Sequence, residues 1–68
     1  MELTINNQLK QFSNQNLTIQ DLMDLEMPEK QSGIAIALND TVIPKSHWSN
    51  HLLSSSDSIL IISATQGG

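Results

Sequence analysis

Residues 34–44 read Ile-Ala-Ile-Ala-Leu-Asn-Asp-Thr-Val-Ile-Pro, and this stretch decides the fold. Large aliphatic side chains at 34, 36 and 38 alternate with alanines at 35 and 37, the period of a strand with one bulky face and one small face. Asn39-Asp40 signals a tight turn, because both residues tolerate the left-handed backbone that a short hairpin needs. Thr41-Val42-Ile43 is then the return strand, and Pro44 stops it by removing a ladder donor.

On the N-terminal side of this hairpin the sequence predicts one helix. Thr18 is the expected N-cap and Asp21 lies three residues on, the spacing of a capping box; Leu17 and Leu22 occupy the positions of a hydrophobic staple. Ile19, Leu22, Met23 and Met27 share a face, Gln20, Asp21 and Asp24 face water, and Pro28 ends a helix of about two to three turns. Farther back, Leu3 and Ile5 alternate with polar neighbours over residues 2–6, Asn6-Asn7-Gln8 turns the chain, and residues 9–12 return as an edge strand. Toward the C-terminus, residues 45–53 read as an irregular or short helical segment in which Trp48 packs amid Val42, Leu52 and Leu53. A polar turn at 54–57 leads to a final strand over 59–64. The order is strand, strand, helix, strand, short strand, strand. With the two terminal strands paired in parallel and the helix crossing between them, this is an α+β domain of the β-grasp kind. It has a mixed four- to five-stranded sheet with one main helix on one face. The domain is expected over 1–64, followed by a flexible tail at 65–68.

Composition narrows the function. Sixty-eight residues make one domain, and without cysteine there is no disulfide framework, thiolate zinc site or thiol nucleophile. Three basic residues against seven acidic ones give a net charge of −4, the wrong sign for contacts to nucleic acid or an anionic membrane. The longest wholly apolar runs, 34–38 and 59–62, are far short of the roughly 20 residues that span a bilayer. No secretory signal is readable at the N-terminus, so the cytoplasm is the expected compartment.

Three features could carry chemistry. Two of the three glycines are Gly67 and Gly68; at a usual frequency of about 7%, a chosen end carries such a pair roughly once in 200 chains. A Gly-Gly end can thread a narrow channel and present its carboxylate to another protein's active site, although the pair alone also fits an inert end. His47 and His51 have the i, i+4 spacing of a helical metal pair, but no glutamate or third ligand accompanies them, and solvent-facing histidines flanking Trp48 are expected instead. Finally, Ile59-Leu60-Ile61-Ile62 is apolar on both faces although a single helix covers only one. Ile59 and Ile61 are assigned to the core. Leu60 and Ile62, with Ala64 and the small-face residues Ala35 and Ala37, then form an open patch fit for a partner, unless residues 45–53 fold back over it. The acidic run Asp21, Asp24, Glu26 and Glu29 reads as a solvated helix face.

Three segments belong together: residues 34–39 followed by Val42-Ile43-Pro44-Lys45 and Trp48; Asp57-Ser58-Ile59 at the start of the last strand; and Ala64-Thr65-Gln66-Gly67-Gly68. In combination they resemble the ThiS family, the sulfur carriers of thiamine biosynthesis. The resemblance implies a ubiquitin-like fold with no catalytic side chain and no bound cofactor or metal. A ubiquitin-activating-type adenylyltransferase would use ATP to adenylate the Gly68 carboxylate. A sulfur donor protein would convert it to a thiocarboxylate, and thiazole synthase would receive the sulfur. Gly67 and Gly68 would form the sulfur-carrying terminus, with Leu60, Ile62, Ala64 and Gln66 contacting the partners. Two rivals share the fold: a carrier of the molybdopterin-synthase small-subunit type, and a ubiquitin-like modifier joined to lysines. A domain that merely docks, with an inert tail, is the third.

Overall fold

Two turns built on left-handed residues organise the sheet. In the computed structural model, which describes residues 1–29 and 31–63, φ is 50° at Asn6 and 68° at Asn7, and 49° at Asn39 and 72° at Asp40. Paired positive φ values are the geometry of a two-residue hairpin whose twist matches its strands. The first turn joins β1 (Glu2–Ile5) to β2 (Gln8–Gln11), with Ile5 opposite Gln8. The second joins β3 (Ile34–Leu38) to β4 (Thr41–Ile43), with Leu38 opposite Thr41. β5 (Ser58–Ser63) lies between the hairpins, parallel to β1 and antiparallel to β3. The sheet order is β2-β1-β5-β3-β4, the mixed β-grasp sheet expected from the sequence. Strand limits shift slightly: β2 starts and ends one residue earlier than expected, and β5 begins at Ser58.

Helix α1 (Ile19–Glu26) starts where its cap chemistry predicts. The Thr18 hydroxyl accepts the Asp21 amide at 3.0 Å, and the Asp21 carboxylate accepts the Thr18 amide at 3.0 Å, closing the capping box. Leu17 and Leu22 are both buried. The helix ends at Met27, whose φ of −139° leaves the helical region just before Pro28. Its apolar face, Ile19, Leu22 and Met23, joins Leu3, Ile5, Ile36, Leu38 and Ile59 from the sheet in one core.

Residues Lys45–Asn50 form a 3-10 helix that packs against α1, so this segment lies on the helix side and leaves the opposite sheet face uncovered. Trp48 is completely buried there, and its indole Nε1 donates to the Ile43 carbonyl at 3.0 Å. Its expected neighbours need correcting. Leu53 is buried with it, but Val42 and Leu52 are mostly exposed. Counting from the two-residue turn explains Val42: it falls opposite Ala37, on the face away from Trp48. Leu52 is held outward by a backbone bridge to Thr18, flanked by bonds from the Ile19 amide to the His51 carbonyl and from the Leu53 amide to the Leu17 carbonyl.

A polar clasp fixes the start of β5. Asn39 donates from Nδ2 to the Asp57 carboxylate at 3.0 Å and accepts the Ser58 amide at 2.9 Å on Oδ1. The other Asp57 oxygen takes the Ser54 amide at 2.7 Å. The β3–β4 turn and the entry to β5 are thereby locked together, which sets the register of the last strand. Among the described residues, no helix is long and apolar enough to cross a membrane.

Candidate functional site

β5 separates two environments by alternation alone. Ile59 is buried and Ile61 half-buried on the helix side, whereas Leu60 and Ile62 are 45% and 44% exposed on the other. Ala37 lies opposite both Leu60 and Val42, and Ala35 lies opposite Ile62. Three adjacent strands therefore present a row Val42–Ala37–Leu60, with Ala35 and Ile62 in the next row. The alanines keep the middle of this face low. Large side chains at 35 and 37 would have filled the trough between Val42 and β5.

Val42, 65% exposed, belongs to this patch. Sequence reading placed it beside Trp48 and so missed it, although the turn length contained the signal: two turn residues after Leu38 put Thr41 opposite Leu38 and Val42 on the alanine face. Leu9, opposite Thr4, extends the exposed apolar surface toward the β2 edge. Ala64, Gln66, Gly67 and Gly68, the other site residues expected from the sequence, lie outside the described residues, as does the boundary between domain and tail.

The helix face is electrostatically quiet. Lys10 pairs with Glu26 at 2.9 Å, and Asp21 is occupied by the cap. Hydrogen bonds from Gln31 and then Gln20 hold the exposed Asp24 carboxyl below its ordinary range. These contacts fit a solvated structural face. The two histidines do not form a metal pair. A 3-10 helix turns every three residues, so i and i+4 do not share a face, and His51 already has extended backbone beyond its end. Among the described residues, no group of three or more His, Cys, Asp or Glu could hold a metal ion. Lys45 places its ammonium 5.8 Å from the centroid of the Trp48 ring, within cation–π range.

Comparisons with known proteins agree in one direction. The ThiS family model matches residues 3–68. Sulfur carrier protein ThiS of Escherichia coli (strain K12) is 28% identical over 68 residues, spanning 100% of both chains. The crystal structure of the thiamine biosynthesis protein (ThiS) from Geobacter metallireducens is similar with a TM-score of 0.87 at 17% identity, covering 100% of each chain. The NMR solution structure of a thiamine biosynthesis protein from Geobacter metallireducens gives a TM-score of 0.81 at 18% identity, over 100% of this chain and 88% of that one. At such identities the solved structures speak to fold.

Proposed function

The chain belongs to the ThiS family, and from that premise we propose that it carries sulfur for thiamine biosynthesis on the carboxylate of Gly68. The observation that carries this reading is the family match over residues 3–68, which takes in Gly67-Gly68. Chemistry supports the choice of atom. With no cysteine, the chain has no thiol to hold sulfur as a persulfide. An α-carboxyl, with a usual pKa of about 3.5, is ionised at neutral pH and is a poor electrophile. Adenylation cures that: a carboxylate oxygen attacks the α-phosphorus of ATP, and pyrophosphate leaves. A persulfide on the donor protein then attacks the acyl carbon and expels AMP, leaving an acyl disulfide. A thiol reductant cleaves its S–S bond, the donor leaves as its thiol, and the carrier keeps a thiocarboxylate with one oxygen exchanged for sulfur.

No side chain of the carrier takes part in bond making. Its work is recognition and delivery. Glycine at 67 and 68 lets the terminus enter a narrow channel without a side chain to block it. The apolar face of Val42, Leu60 and Ile62 supplies a docking surface that an adenylyltransferase and thiazole synthase use in turn, with Ala64 and Gln66 along the approach to the terminus. ATP belongs to the activating partner, and the carrier binds no cofactor of its own. The cytoplasm, where ATP is available, is the proposed compartment.

Incubation with ATP, the adenylyltransferase and the sulfur donor of the same organism and a thiol reductant, followed by intact-mass measurement, tests the reading. A mass gain equal to one oxygen replaced by sulfur is expected. Covalent adducts on lysines of other proteins would instead assign a modifier, and an unchanged mass would reduce the chain to a docking domain.

A further inference from the structure

The last strand outruns its neighbour. β1 pairs with β5 only at Thr4–Ser58 and Ile5–Ile59 before Asn6-Asn7 turns the chain away, whereas β3 accompanies β5 as far as the Ile34–Ser63 pair. The direction of each peptide in β5 follows from two bonds. The Asn39 amide donates to the Ser58 carbonyl, so even-numbered residues of β5 bond toward β3. The Asn6 amide donates to the Ile59 carbonyl at 2.9 Å, so odd-numbered residues bond toward β1. The Ile61 amide points into the space beyond the end of β1, and the Asn6 side chain meets it there, accepting at 2.7 Å on Oδ1 in place of a strand carbonyl. Past this plug, the Ile61 carbonyl and the Ser63 amide face an open lane. Among the described residues nothing pairs with them, and Ser63 is exposed.

We propose that this lane, beside 61–63 and bounded by Asn6, receives an extended backbone segment of the adenylyltransferase, which adds to the sheet as a short strand where β1 stops. The inference rests on the carrier reading above and on chain length. Five residues follow Ser63, and at about 3.3–3.6 Å each they reach at most roughly 18 Å. A partner that holds the Gly68 carboxylate in its active site must therefore come within roughly 18 Å of this end of β5. The groups it meets there are a carbonyl and an amide in strand geometry, unpaired among the described residues, which a backbone strand satisfies and an apolar surface does not. The lane adjoins Leu60 and Ile62, so strand addition and apolar docking occupy one continuous footprint.

The test is total synthesis of the chain with the Ser63 amide replaced by an ester, which deletes that N–H while keeping the side chain. Affinity for the adenylyltransferase of the same organism and thermal stability are then measured beside the all-amide chain. Loss of one interfacial hydrogen bond should weaken binding roughly fivefold, while the melting temperature falls only slightly, because the ester also makes the Ile62 carbonyl, which faces β3, a weaker acceptor. In the complex of the all-amide chain, the Ser63 amide should gain protection from hydrogen exchange. Equal affinity of the two chains, or an unprotected Ser63 amide, overturns the lane even when ATP-dependent adenylation proceeds and the carrier function stands. Protection of the Ser63 amide in the free chain also overturns it, because the amide would then be bonded within the domain. Self-association of the free chain that the ester abolishes would make a second copy the occupant and overturn it too. Failure of the all-amide chain to bind the enzyme removes both the lane and the function.

Discussion

The two faces of β5 use the same residue types for different ends. On the helix side Ile59 belongs with Leu3, Ile36 and Trp48 to one core sealed from water, and the fold depends on it. On the other side Leu60 and Ile62 sit beside Ala35, Ala37 and Val42 with nearly half or more of each large side chain in solvent. A domain with one helix can dry only one face of its sheet. Leu60 and Ile62 are 45% and 44% exposed, so a partner that dries the rest gains roughly half of the about 1.5–3 kcal/mol that full burial of each is worth. On the function proposed above, the contrast separates residues that build the carrier from residues that present it to partners.

Substitutions can break that division. The largest effect is expected at Trp48, the bulkiest buried side chain. Trp48→Ala should cost about 3–5 kcal/mol, enough to leave much of so small a domain unfolded in thermal melts. A melt matching the unsubstituted chain would show that the core does not lean on this residue. Asn39→Ala comes next. It removes both side-chain bonds of the clasp and places alanine at positive φ, so chemical denaturation should register a loss of about 1–3 kcal/mol. Leu60→Glu, on the wet face, should move stability by no more than about 0.5 kcal/mol and yet slow adenylation. Unfolding of that variant would mean that Leu60 belongs to the core after all.

The smallest effect concerns the quiet helix face. Gln31 and Gln20 lower the folded-state pKa of Asp24, so their contribution is present above the ordinary aspartate range and is lost as pH falls through the lowered value. Gln31→Ala should raise the Asp24 pKa toward its ordinary value in an NMR titration, with adenylation unaltered. An unmoved titration would remove Gln31 as the cause.

Local chemistry made most of the fold legible. Asn6-Asn7 and Asn39-Asp40 announced their hairpins, Thr18 and Asp21 their cap, and alternation placed Leu60 and Ile62 on the open face. What escaped was set by partners distant in sequence. Leu52 turns outward because the chain after the 3-10 helix bonds back to the segment entering α1, and nothing near Leu52 encodes that. Val42 was misplaced for a different reason: its nearness to Pro44 and Trp48 in sequence outweighed the register its own turn dictates. The open lane beside 61–63 needed two strand lengths compared across the sheet, which no single segment contains.

Chemistry at the terminus is the most direct test of the carrier assignment. The chain extended by one residue beyond Gly68 keeps every core and open-face contact described above, so its melt should match that of the unextended chain. ATP-dependent adenylation by the partner enzyme, read as pyrophosphate release, should be abolished, because the carboxylate no longer sits on residue 68. Turnover equal to that of the unextended chain would contradict the assignment, since the reacting group could not then be the Gly68 carboxylate.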